Sequence, residues 1–413
     1  MITNQGAQFI HTPHSIPHMK RTRGSNLLII LVLGAMSTVS PFSVDMYLPA
    51  FPQIAHDLGT TPAEISLSVT GYFIGLALGQ LVYGPLLDRF GRKNPIYAGL
   101  SVFVVASLGC LSARSPAMFV GFRLLQAVGG CVAQVGAVAM VRDYFPVKES
   151  AKILSLLMLV LSVSPLFAPS LGGFVATTAG WPWIFVILAG FAVLVMLLVG
   201  FALPVGHTPD RGVSLRPRAI VGGFLQIIEN PQFRTYAVSG AFSFAGLFVY
   251  VTGSPIIFIG TFHLDPLTYA MIFALLAAGF IGGSQFNIWL SRRYDGRRIY
   301  RNALVCQNLI IGLTLVGTIC GWYGLAANVA LLTVYLAFCG AAYPNAAANA
   351  LAPFTRNIGS ASALLGLLQM GIGALASTGV GALNASTSLP IFAVMACAAV
   401  IGLIILIASR HRL

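Results

Sequence analysis

The sequence predicts an all-α integral membrane protein, with twelve transmembrane helices forming two pseudo-symmetric six-helix bundles. Three observations predict it. First, the 413-residue chain is 57% hydrophobic and only 8% charged, with a mean hydropathy of +0.87. A soluble domain carries about 25% charged residues because its surface faces water. Second, the basic residues alternate between the two sides of the predicted spans. Third, a basic loop motif recurs about half a chain apart. Together these exclude a water-soluble enzyme, a nucleic-acid-binding module, a disordered chain and a disulfide-stapled secreted domain.

A bilayer core of about 30 Å needs about 20 apolar residues per helix. Such stretches run over 26–50, 62–86, 94–113, 117–141, 152–176, 181–204, 233–257, 267–291, 302–321, 325–347, 358–383 and 387–409. Residues 1–25 form a polar tail, expected to be disordered. Its His11, His14 and His18 are spaced by prolines, and either a solvated tail or a metal-binding one fits them. Met19 is an alternative start to Met1. The first apolar run exceeds the roughly 7–15 residues of a cleavable signal core, so it is expected to stay as a span. It opens a bundle over 26–204. A polar stretch over 205–232, with Asp210, Arg211, Arg216 and Arg218, is the expected central linker. The second bundle covers 233–409, and 410–413 is a short tail.

Of the 23 basic residues, 21 fall in the two tails and in every second loop. Arg114 alone lies in an opposite loop, and Arg123 lies within a span. Lys and Arg collect on the cytoplasmic side, so both termini are expected there. Gly84-Pro85-Leu86-Leu87-Asp88-Arg89-Phe90-Gly91-Arg92-Lys93 is echoed by Leu290-Ser291-Arg292-Arg293-Tyr294-Asp295-Gly296-Arg297-Arg298, with Arg89 and Arg293 204 residues apart. Parallel six-helix halves with a site between them are a known transporter plan. The six cysteines have no metal or disulfide spacing and are expected to be small core hydrophobes.

Among ten acidic residues only Asp45 lies inside a span. A carboxylate in hydrocarbon costs several kcal/mol, so it faces a cavity, pairs with a cation, or takes up a proton. Desolvation and a nearby cation act oppositely on a carboxyl, and an acid sensing both loads and releases protons. A wetted helix-end residue is the other reading. Arg123 is the basic residue deep in a span, with Gln126 and Gln134 on roughly one face of the same helix. It is either a coupling residue, a structural arginine bonded to backbone carbonyls, or one snorkelling to the interface.

Gly71, Gly75 and Gly79 repeat at four-residue spacing, which lets helix backbones approach closely, and read as packing. Pro165 and Pro169, followed by Gly172 and Gly173, mark a kink or a hinge and seal between halves. Asp88, Arg89 and Arg92 form either a solvated loop or a cluster pairing with Asp143. Tyr47, Tyr72, Tyr250, Tyr343, Asn345 and Gln369 are polar groups in apolar helices, open to substrate contact or to interhelical hydrogen bonding. The sequence holds no phosphate-binding Gly-rich loop, no His-Glu-x-x-His and no metal cluster. No enzyme activity and no cofactor are therefore expected, and an ion gradient is the expected energy source.

Gly84–Lys93 resembles the signature loop of the major facilitator superfamily. Arg123 with Gln126 and Gly129 resembles the span-four motif of its proton-coupled members, and Ala168-Pro169-x-x-Gly172-Gly173 the span-five motif of drug:proton antiporters. Asp45-Met46-Tyr47-Leu48-Pro49 and Arg142-Asp143 narrow the resemblance to the Bcr/CflA multidrug exporters of twelve spans, over residues 26–409. Ala127 and Ala168 stand where the wider patterns carry glycine. The resemblance implies the following roles. Asp45 is the protonation site and Arg123 the coupling residue. Asp88, Arg92 and Asp143 form a cytoplasmic charge lock, and Pro169 and Gly172 a hinge and seal. It further implies an antiporter monomer of the bacterial inner membrane. Its partners would be protons, membrane lipids and small lipophilic drugs of bicyclomycin, phenicol or sulfonamide type, with no nucleic acid. Proton-coupled movement of a small metabolite, or a non-transporting receptor on the same fold, are the rival expectations.

Overall fold

Proline, serine, threonine and acidic residues punctuate the chain where its helices begin. In a computed structural model, which describes residues 23–204, 209, 217–354, 358–383 and 387–409, fourteen α-helices follow one another. They are α1 (Arg23–Asp45), α2 (Phe51–Asp57), α3 (Pro62–Arg89), α4 (Lys93–Leu111), α5 (Pro116–Tyr144), α6 (Val147–Thr178) and α7 (Pro182–Ala202). After the linker come α8 (Pro217–Ile228), α9 (Pro231–Pro255), α10 (Pro266–Leu290), α11 (Gly296–Ile319), α12 (Leu325–Leu351), α13 (Ile358–Ala382) and α14 (Ser388–Ala408). All but α2 and α8 match the twelve expected spans. Thr61, Ser115, Asn230 and Asp265 each cap the next helix through a side-chain oxygen, with proline in its first turn. The cap satisfies an orphan backbone donor and proline is pre-set for the helical φ there.

The helix contacts repeat between halves. In the first, α1 meets α5, α6 and α7, α5 meets α3 and α4, and α4 meets α7. In the second, α9 meets α12, α13 and α14, α12 meets α10 and α11, and α11 meets α14. Counting the spans one to six and seven to twelve, these are the same six pairs. The halves meet through α3 against α13 and α6 against α10, which exchange under the same pseudo-two-fold.

Three details differ from the sequence expectation. The first helix ends at Asp45 rather than near Ala50. The end of the linker is helical: α8 sets Phe224, Ile227 and Ile228 against the cluster of Phe233, Tyr236 and Leu365. Its apolar residues recur at helical spacing between Pro217 and Pro231, which the loop reading passed over. Cys110, Cys131 and Cys339 are buried as expected, but Cys320 and Cys397 are exposed, Cys320 in the turn that ends α11 and Cys397 on a face of α14 turned outward from the bundle. Residues 1–22, 205–208, 210–216, 355–357, 384–386 and 410–413, with His11, His14, His18, Asp210, Arg211 and Arg216, lie outside the described residues, as do the side chains of Arg142 and Arg218.

Gly75 of α3 shows why Ala127 is tolerated in place of glycine. A Cβ on Gly75 would stand 2.7 Å from the Ala127 Cβ. The small residue needed for close α3–α5 packing sits on the partner helix instead.

Candidate functional site

Helix α1 stops where Pro49 and Pro52 withdraw the backbone donors that another turn would need. The chain turns at Met46–Tyr47 into a 3-10 turn over Leu48–Ala50. This leaves Asp45 as the last helical residue, only 6% exposed. The Leu48–Ala50 turn that follows it packs on α6 and, across the halves, on α10, so Asp45 sits beside the seam between halves. Tyr250 stacks on Phe273 at 5.7 Å between centroids, and its hydroxyl has no protein partner. The Tyr269 hydroxyl lies 2.9 Å from Ser254 Oγ. Among the described residues Asp45 joins no ion pair.

Arg123 is fully buried. Its Nη1 donates to Ser43 Oγ at 2.8 Å and to Gln126 Oε1, and its Nη2 donates to the Ser43 carbonyl at 2.8 Å. The guanidinium carbon stands 4.2 Å from the Tyr47 ring centre and 4.4 Å from that of Tyr72. Cation–π contacts of this kind reach about 2 kcal/mol when desolvated. Oxygen lone pairs and π faces therefore hold the cation, with no carboxylate. Ser43 lies two residues before Asp45, so both charges meet the same helix end without pairing.

Tyr47 and Gln126 complete that cage. The Tyr47 hydroxyl lies 2.7 Å from Ser68 Oγ, and Gln126 Nε2 donates to Ser107 Oγ at 2.6 Å. Both side chains, with Tyr72, are buried inside the first half. Gln134 is half-buried farther along α5. Asn345 donates to Asn287 Oδ1 at 2.6 Å and to the Ala341 carbonyl at 2.8 Å. Gln369 is buried with Nε2 unpartnered. Tyr343 is 38% exposed and stacks on Phe244 at 4.5 Å. Phe244 meets Phe248, and Phe248 meets Phe73 of the other half at 4.5 Å. This aromatic row carries no contrast within apolar helices, so sequence reasoning missed Phe73, Phe244 and Phe248, and likewise Tyr269.

Two further clusters flank the site. In α6, Pro169 is buried and Pro165 half-buried. A Cβ on Gly172 would lie inside van der Waals contact of the Met46 carbonyl oxygen, and one on Gly173 would stand 3.2 Å from the Pro266 carbonyl. Thus α6 touches the backbone beside Asp45 and the opposite half together. At the other end, Gly91 with φ +79 turns the chain between α3 and α4. Arg92 then donates from Nη1 to Asp88 at 2.7 Å, and from Nε and Nη2 to Asp143 at 2.7 and 3.2 Å. Burial acts to lower the Arg92 pKa, but the hydrogen bonds and charges of Asp143 and Asp88 outweigh it and hold it above its usual value. Arg89 lies over the Phe90 ring at 5.8 Å, outside this triad.

Residues 33–377 match the family model described as Major Facilitator Superfamily. The chain is 30% identical to a bicyclomycin resistance protein homolog of Haemophilus influenzae, over 92% of this chain and 95% of the relative. It is 29% identical to multidrug resistance protein D of Escherichia coli K12, over 87% and 89%. A solved D-xylose-proton symporter superposes with a TM-score of 0.68 at 13% identity, over 92% of this chain and 97% of that one. With twelve long helices in two matching halves and this family match across most of its length, the chain belongs to the Major Facilitator Superfamily of multi-pass membrane transporters.

Proposed function

We propose that the protein is a drug:proton antiporter of the bacterial inner membrane, working by alternating access with Asp45 as its proton site. The observation that carries this reading is a buried carboxylate at the seam between halves, with Arg123, the one fully buried arginine among the described residues, bonded near the same helix end to neutral groups and its Nε left unpartnered. A carboxylate so placed is stabilised by a proton when water is excluded and by solvent when the seam opens. Neutralising Asp45 lets the Met46–Pro49 turn settle against Gly172 and the α6–α10 seam close. Arg123, tied to Ser43, transmits the position of that helix end to α5. By linkage, a drug that weakens protonation must itself be weakened by protonation to the same degree.

The aromatic row Tyr343–Phe244–Phe248–Phe73 supports amphiphilic cargo such as bicyclomycin, phenicols or sulfonamides. Sugars would need many convergent hydrogen-bonding groups, which stacked rings do not offer. The relatives' names for bicyclomycin and multidrug resistance point the same way. On this reading the basic end, with Arg92 and the Arg292–Arg301 loop, is the cytoplasmic one, and both termini lie inside, as the excess of Lys and Arg there supports.

The test is proton movement in acid-loaded everted vesicles, followed with a pH-sensitive dye, on adding each compound class. Wild type is expected to alkalinise on adding a substrate, and Asp45→Asn to insert normally without responding. Compound-driven alkalinisation by Asp45→Asn would overturn the proton site. Silence of wild type to every compound would favour a metabolite carrier.

A further inference from the structure

Helices α10 and α11 both lean on α12. A groove of about 580 Å³ opens there, with α12 as its floor and the other two helices as walls. Its floor is shallow-sided for a local reason. Gly283 of α10 comes so close to α12 that a Cβ would strike the Ala337 carbonyl oxygen, and Ala337 and Ala341 raise no side chain above a methyl. Phe286 and Phe338 extend the apolar walls.

The mouth is chemically different. Arg298 and Tyr294 line it, the guanidinium carbon 5.6 Å from the ring centre. Both lie where α10 has ended and α11 begins, and Trp289 is the penultimate residue of α10, a position typical of aromatic residues at headgroup depth. Among the described residues, none of Arg292, Arg293, Arg297, Arg298 and Arg301 has a carboxylate oxygen within 4.0 Å. Asp295, the acid of this loop, caps α11 by accepting from the Arg297 backbone N–H at 3.2 Å. The equivalent loop of the first half is unlike it: Arg92 is neutralised there by Asp88 and Asp143, and Lys93, the counterpart of Arg298, donates to the Gly200 carbonyl at 3.2 Å.

We propose that this groove is a binding site for one anionic phospholipid, an acyl chain lying over Ala337 and Ala341 and the phosphate facing Arg298. The volume lies in the ordinary range for a small-molecule site, about 300–1,000 Å³. Basic pockets between spans at the cytoplasmic face attract anionic headgroups. The charge excess favours an anionic lipid over a zwitterionic one, and the long apolar wall favours a lipid over a free phosphate.

Native mass spectrometry of the full chain in neutral detergent tests this, with phosphatidylglycerol, phosphatidylcholine of the same chains, and glycerol 3-phosphate as probes. Wild type is expected to retain phosphatidylglycerol over phosphatidylcholine by roughly fivefold, the worth of one interfacial arginine. The exposed-site variant Arg298→Gln should erase that preference, and Ala337→Phe should reduce retention of both lipids. Equal retention of the two lipids by wild type, or an unchanged preference in Arg298→Gln, overturns the proposal. Equally tight glycerol 3-phosphate would make it a free-anion site, and a dimer dispersed by Ala337→Phe would assign the groove to a second copy; either outcome overturns the lipid.

Discussion

Arg123 is a full positive charge kept from water by a serine hydroxyl, a backbone carbonyl, a glutamine oxygen and two tyrosine rings. Each of these needs the planar fork rather than a point charge, and lysine does not reproduce it. Arg123→Lys is therefore expected to insert but to lose most compound-driven proton flux, and Arg123→Ala to lose the pH dependence of transport. Flux at the wild-type level with unchanged pH dependence in both would make Arg123 structural only. The Arg92 triad permits a graded test. Asp143 is 11% exposed and Asp88 51%. Breaking the buried pair with Asp143→Asn should destabilise the protein by about 3 kcal/mol, whereas Asp88→Asn should cost at most about 1 kcal/mol. Denaturation of the purified protein in detergent measures both, and equal losses would refute the burial argument.

At the scale of the element, α6 carries Pro165 and Pro169 inside it and is pressed by Gly172 onto the backbone next to Asp45. One added methyl at Gly172 must displace α6 or the Met46 turn, since the obstacle is backbone. Gly172→Ala is expected to reach the membrane and fail in transport. Gly190→Ala in α7, where a Cβ would meet nothing within 4 Å, should transport as wild type. Similar activity in the two variants would remove α6 from the mechanism. The same logic explains α3, whose Gly75 and Gly79 meet Ala127 and Cys131 of α5. The glycine repeat serves packing within one half.

For the whole molecule, the span plan was legible because apolar run length and loop charge are direct physical requirements of a bilayer. Asp45 and Arg123 stood out for the same reason, as ionisable groups in apolar runs. Tyr269, the aromatic row and the α10–α12 groove were not legible, because they arise where separate helices meet and each residue alone is ordinary in a membrane span. Ser43 and Ser107 were hidden likewise, since serine in a span gives no sign of its partner. Alternating access requires the α3–α13 contact to part. Leu67 touches Gly381 across it, close enough that a Cβ on Gly381 would overlap Leu67. Cysteines at these two positions, with the native six replaced, are expected to cross-link and to block transport until reduced. Undiminished transport while cross-linked would mean this seam does not move.

The contact plan of the halves has a mechanical consequence. Since α3–α13 and α6–α10 are one contact written twice about a common axis, a tilt that tightens one end of the first tightens the same end of the second. Under alternating access the molecule is therefore expected to move as a seesaw with its pivot between the halves, the Arg92 ion pairs weighting one arm. A wedge driven into either seam stalls both, and an inhibitor needs to find just one of them.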